Sequence, residues 1–277
     1  MSRPVLPLAT LCSVLAWVGI GFGCAPRLGD TAMPSGGGHT MVRAARAPAP
    51  PTPAPEVDPV LQRELESAIL RPPMVEWPVV WNDERARLAS LYIEKHKGWE
   101  RTGDPDRDTR MDPRMVVVHW TAGPSAKSAW NTFRAPRQRG QRIKAEWNAV
   151  NLTSHFIVDR DGTIFRLLPE TRIGRHTIGL NHVAIGIENV GNGRSLPLTD
   201  AQLDANAALV RWLSHEYGIT HVIGHHEYRH MESHPYFVET LPWFRTGRAD
   251  PGKPFMAKLR EELSDLRILG PPVAQLD

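Results

Sequence analysis

The stretch Ile219-Thr-His-Val-Ile-Gly-His-His-Glu-Tyr-Arg-His230 supports two readings, and the choice between them fixes the fold. Read from its end, His226-Glu227-Tyr228-Arg229-His230 is an H-E-x-x-H pattern. That pattern sets two imidazoles on one helix face around a metal, with the glutamate as base. Read from its start, Ile219 to Gly224 is a short apolar run of strand type, and His225 is a side chain carried by the end of that strand. The residues that follow hold no apolar stripe to seat a helix. Ser233 and Tyr236 stand where the extended protease pattern has Gly and His. Two free positions in five also match easily in a segment with four histidines between 224 and 234. The strand reading is preferred, and the zinc protease stays as a rival.

On either side of this stretch, strands and helices alternate. Met115 to His119 is a β-branched run that reads as a buried strand, and Ser125 to Arg134 reads as a helix. Ser154–Asp159 and Thr163–Leu168 flank Asp159-Arg-Asp-Gly162, a hairpin signal. Val183 to Asn189 is a further strand. Thr199 to Tyr217 is the clearest helix: Thr199 and Gln202 form a capping box, Leu203, Val210 and Leu213 share a face, and Gly218 ends it. Pro254 to Leu266 closes the series, with Phe255, Leu259 and Leu263 on one stripe. Leu61–Leu70 and Asp83–Lys97 are earlier helices, and Gly98–Pro113 reads as a surface loop. The order predicts an α/β fold, a mixed central β-sheet flanked by helices.

A second candidate site is spread along this framework. His119 ends one strand, His225 ends another, and Asp250 sits on a tight turn, Arg248-Ala-Asp-Pro-Gly252, before the last helix. Two histidines and a carboxylate make an open three-ligand zinc site with a fourth position for water. Each of the three also has an ordinary reading as a satisfied core or surface residue. The only two cysteines, Cys12 and Cys24, lie near the N-terminus, so the globular part has neither a disulfide nor a thiolate ligand to offer.

Six short motifs in order, Val116-Val-Val-His-Trp-Thr121, Ser154-His-Phe156, Asp161-Gly-Thr163, Ile185-Gly-Ile-Glu188, Ile223-Gly-His225 and Asp250-Pro-Gly252, resemble the zinc-dependent N-acetylmuramoyl-L-alanine amidases of the type-2 family. That family shares its fold with T7-type lysozymes and peptidoglycan recognition proteins. The resemblance spans about residues 112–266. It implies that His119, His225 and Asp250 bind Zn2+ and that Glu188 assists the zinc water. The strand pattern is consistent with that role, since Ile185 and Ile187 face one way while Gly186 and Glu188 face the other. Arg248 stands where catalytic relatives commonly carry lysine, and keeps the positive charge for an oxyanion. His176 matches a histidine near the family's substrate groove, and reads equally as a structural residue.

The implied function is hydrolysis of the amide between N-acetylmuramic acid and L-alanine. A binding module that keeps the groove without catalysis is the other alternative. Charge supports neither a nucleic-acid partner nor a strongly basic face, with 33 Lys and Arg against 30 Asp and Glu. Residues 1–23 read as a lipoprotein-type signal, with Gly23-Cys24 resembling a lipobox, so a membrane partner through an N-terminal lipid anchor is expected. Residues 24–59, rich in Pro, Gly and Ala, read as a tether able to span on the order of 100 Å. Residues 60–111 read as a helical extension packed on the domain, with Trp77, Trp81 and Trp99 as anchors. Residues 112–268 form the zinc amidase domain and 269–277 a tail. The expected partner is peptidoglycan or its muropeptides, the expected state a monomer, and the expected place the cell envelope, lipid-anchored on the outer membrane facing the periplasm, or secreted.

Overall fold

The computed structural model describes residues 58–140 and 145–272. The expected signal and nearly all of the expected tether fall outside this range. In chain order the elements are α1 (Pro59–Leu70), β1 (Val75–Glu76), α2 (Asp83–Lys97), α3 (Pro105–Asp108), β2 (Met115–Trp120), α4 (Ala126–Phe133), β3 (Phe156–Val158), β4 (Ile164–Arg166), β5 (Ala184–Asn189), α5 (Asp200–Tyr217), β6 (His221–Gly224) and α6 (Lys253–Glu262). Short 3-10 helices cover Glu146–Asn148 and His225–Met231.

The strands form one six-stranded sheet in the order β1-β4-β3-β5-β2-β6. Only the β3–β4 pairing is antiparallel; β3, β5, β2 and β6 run parallel, as β1 does with β4. The sheet is therefore mixed, as expected. Parallel strands need both faces covered, and the alternation of side chains supplies the cover. Val116, Val118, Ile185, Ile187, Phe156 and Val158 share a cluster with Leu209, Val210 and Leu213 of α5 and Met256 and Leu259 of α6. Met115, Val117, Ala184 and Ile223, of opposite parity, pack on Leu180, Tyr228 and Met231. Ile157 and Leu167 pack with Ala126, Ala129 and Phe133 of α4. Helix α5 begins on the expected capping box and ends at Gly218, whose φ of 66° is the left-handed value that glycine adopts without a Cβ penalty.

Three differences from the sequence reading concern the flanks. The supposed surface loop 98–113 contains α3, capped by Asp104, and buries Thr109 and Met111. The two residues of β1 carry no periodicity, yet they pair with β4 and cover that edge of the sheet. At the opposite edge, Leu269, the first residue of the expected tail, exchanges backbone hydrogen bonds with Thr220 and Val222 of the β6 side. Of the three tryptophans, Trp77 stacks on Trp130 at 5.0 Å, Trp81 packs against the core, and Trp99, half exposed, meets His182 edge-on at 5.6 Å.

Candidate metal centre

Parallel register brings the site together. His119 is paired with Glu188 across β2 and β5, and Val118 is paired with Gly224 across β2 and β6. The next residue after Gly224 is His225, so three adjacent parallel strands deliver His119, Glu188 and His225 at one level, at their C-terminal ends. This is where open α/β sheets present their ligands. His119 has the parity of Met115 and Val117, and His225 that of Ile223, so both project on the face away from α5 and α6.

Asp250 completes the group from the loop before α6. His119 Nδ1 and His225 Nδ1 are 2.9 Å apart, and Asp250 Oδ2 lies 3.2 Å from the first and 3.0 Å from the second. All three residues are buried. Ligands at about 2.1 Å in a tetrahedral zinc site stand roughly 3.4 Å apart, so a slight expansion of this triangle accommodates the ion. Protonation states also suit metal binding. Burial, then the neighbouring His119, brings His225 down to about 4, outweighing Asp250. Burial alone would raise the Asp250 carboxyl, but hydrogen bonds from His119 and His225 together hold it well below the usual carboxylate range. The donor set offered at neutral pH thus includes a neutral imidazole and a carboxylate.

His176 is half-buried. Its ring lies over Gly186, where an added Cβ would be 2.9 Å from the imidazole. His176 Nε2–H donates to the Ala184 carbonyl at 3.1 Å, which leaves Nδ1 as an acceptor, 3.1 Å from His119 Nε2. With zinc in the triangle, this partner would let His119 keep its proton on Nε2 and offer Nδ1 to the ion. Partners of this kind orient ligand imidazoles. His176→Phe should fold and bind zinc about 10–100-fold more weakly by competition with a chromophoric chelator; unchanged affinity would remove His176 from the support of the metal site.

Other supports were not anticipated. Asn189 Nδ2 donates to the His119 carbonyl at 3.1 Å, and Asn206 Nδ2 holds the Asn189 side-chain oxygen at 2.7 Å. Gln202 Nε2 ties the same helix to the carbonyls of Val158 and Val190. The available signal was Gln202 and Asn206 on the same stripe of α5 as Leu209 and Leu213, two polar side chains where apolar ones belong.

Glu188 stands beside the triangle, with Oε2 buried and without a hydrogen-bond partner. Burial pushes its carboxyl up to about 7; His119 opposes this, Asp250 adds to it, and Arg248 opposes it. Arg248 is exposed, and its charge is felt at both Glu188 and His225.

The rival H-E-x-x-H segment is helical after all, but as a 3-10 helix over His225–Met231. Tyr228 and Met231 are its buried anchors, and the Glu227 carboxylate accepts from the Gly224 N–H and from Arg260. At three residues per turn, positions four apart lie about 120° apart around the axis, so His226 and His230 do not share a face. Glu227 is engaged in structure, and His230 is exposed. His226 instead fixes the backbone of Asp250, a candidate metal ligand. Its own backbone N–H and its ring Nδ1 both meet the Asp250 carbonyl, at 2.8 and 3.1 Å.

Residues 109–253 match the protein family described as N-acetylmuramoyl-L-alanine amidase. A peptidoglycan recognition protein of Trichoplusia ni is 32% identical over 126 residues, covering 43% of this chain and 67% of that protein. Peptidoglycan recognition protein 3 of Mus musculus is 24% identical over 130 residues, 47% of this chain, and the matched part spans only 38% of that relative. Among solved structures, the endolysin amidase LysCS of Clostridium intestinale aligns at 24% identity with a TM-score of 0.41, over 72% of this chain and 97% of its own.

Proposed function

Because this chain belongs to the N-acetylmuramoyl-L-alanine amidase family, we propose that it hydrolyses the amide joining N-acetylmuramic acid to L-alanine in peptidoglycan stem peptides, with His119, His225 and Asp250 holding zinc. The observation that carries this reading is the convergence of two imidazole nitrogens and a carboxylate oxygen beside the unpartnered Glu188 oxygen. When bound, zinc supplies a Lewis acid that lowers the pKa of water and polarises a carbonyl.

The chain's own residues do the rest. Glu188 Oε2 accepts the proton of the attacking water and returns it to the departing nitrogen of L-alanine, so that acid and free amine are formed with the proton conserved. Burial raises its pKa in the metal-free site, and the charge of bound zinc would draw it back toward the carboxylate that accepts a proton. Arg248 places a permanent positive charge where the carbonyl oxygen becomes anionic. Arg248→Ala should lower kcat by about 10²–10³ in a peptidoglycan-release assay, while Arg248→Lys keeps most of it; full activity in the alanine variant would remove Arg248 from the reaction.

The test of the whole reading is incubation of the full chain with purified peptidoglycan, followed by assay of new L-alanine amino termini, with chelator and with zinc restored. Release that is abolished by chelator and recovered with zinc supports the amidase. Binding without release assigns the chain to the recognition modules instead. The same reading places the enzyme at the cell envelope through lipidation of Cys24, and Cys24→Ser should then move it from the membrane to the soluble fraction. A variant that stays uncleaved in the membrane would overturn that placement.

A further inference from the structure

Away from the metal centre, α2 and two neighbouring segments enclose a small cavity of about 10 Å³ whose lining includes Trp81, Arg85, Tyr92, Asn151, Thr153 and Arg175. Arg85, on α2, is 0% exposed and is the largest fully buried side chain among the described residues. Its Nη2 donates to the carbonyls of Phe133 and Ala135, at the C-terminal end of α4. Its Nε and Nη1 have no partner, and neither does the Trp81 indole Nε1, which is also buried. Three unpartnered donor nitrogens, carrying four N–H bonds, thus belong to two residues that line the cavity.

Nothing acidic answers them. No Asp or Glu lines the cavity. The second lining guanidinium, Arg175, spends its donors on the Asn148 and Val150 carbonyls and the Asn148 side chain. A third, Arg172, lies 4.8 Å over the Trp81 ring. A buried guanidinium without a counter-charge is among the costliest arrangements a fold can hold, and it persists only where something compensates it. The space admits a single small species. A water molecule accepts two hydrogen bonds and leaves the charge unmatched; a monatomic anion can accept from all three nitrogens and neutralises it.

We propose that this cavity is a binding site for one halide-sized monovalent anion, chloride under ordinary conditions, held by Arg85 Nε and Nη1 and Trp81 Nε1. The site is independent of the hydrolytic reaction. The anion ties α2 to the segment Ile173–Arg175, which also lines the cavity, and that segment leads directly into His176, the partner of His119. Chloride is in this sense a structural ligand that joins the N-terminal extension to the support of the metal centre.

Crystals of the full chain soaked in sodium bromide should show an anomalous peak in the cavity within hydrogen-bond reach of those three nitrogens. In solution, replacing sodium gluconate by sodium chloride at constant ionic strength should raise Tm saturably, by about 2–5 °C. Arg85→Met should abolish the difference. Should that variant fail to fold, Trp81→Phe, which removes one donor and retains most of the ring, should raise the chloride concentration needed for half of the shift. Absence of the bromide peak overturns the proposal whatever the melting curves do, and so do melting curves that superimpose in the two salts.

Discussion

Asp250→Ala is expected to give a folded protein that has lost most of its zinc and nearly all hydrolysis, while His230→Ala keeps both. The carboxylate is the only anionic corner of the triangle, within 3.2 Å of both imidazole nitrogens. Without it, two imidazoles remain to bind the ion, and the globular part has no cysteine to substitute. His230 is exposed on the 3-10 helix and turned away from His226. Metal content by mass spectrometry, with circular dichroism to confirm folding, separates the two sites. A metal-free His230 variant beside a loaded Asp250 variant would return the chain to the zinc-protease reading. His226→Ala is less decisive, because His226 holds the Asp250 backbone and its loss loosens the same ligand.

The second large effect is expected at Glu188. Glu188→Gln preserves shape and removes the proton acceptor, so zinc should stay while kcat falls by about 10²–10⁴. The wild-type rate should rise with pH as the carboxyl ionises, and this limb should vanish in the variant. Stability should move the other way. Burial raises the folded-state pKa from 4.5 to about 7, so the folded protein holds this proton more tightly than the unfolded chain. Its contribution is fully present below pH 4.5 and is lost as pH rises through about 7. The glutamine variant escapes that loss. After chelation of metal, it should melt higher than wild type at about pH 8, with the difference fading toward about pH 4.5. Equal melting temperatures at both pH values would mean that Glu188 is solvated and not held as described.

Much of this was legible from local sequence. Met115–Val118 is apolar and β-branched enough to be a central strand and nothing else, and α5 announces both its ends through Thr199, Gln202 and Gly218. The candidate triangle of His119, His225 and Asp250 was legible because strand ends and a turn are local features. What was not legible depends on partners far along the chain. His176 reads alike as a groove residue or a structural one until its ring is seen over Gly186, ten residues on. Asn206 and Gln202 are ordinary helix residues until β5 lies beneath them. The segment after Gly224 lacks an apolar stripe of period 3.6, yet Tyr228 and Met231, three apart, fit the shorter period of a 3-10 helix. With only one buried pair, that shorter period leaves too faint a pattern to stand out beside the α-helical one.

The two edges of the sheet bear on how this protein should be handled. An expression plasmid cut to the family-matched boundaries, 109–253, would discard both β1 and the Leu269 segment. It would leave β4 bare at one margin and β6 bare at the other, each with a row of unsatisfied amide groups ready to zip onto a neighbouring molecule. Loss of β6 order would reach His225, the very next residue. The cut would also remove α6, whose Met256 and Leu259 close one side of the core. Such a fragment would be expected to accumulate in inclusion bodies, and inactivity measured on it would speak of exposed strand margins rather than of the candidate site residues it still contains.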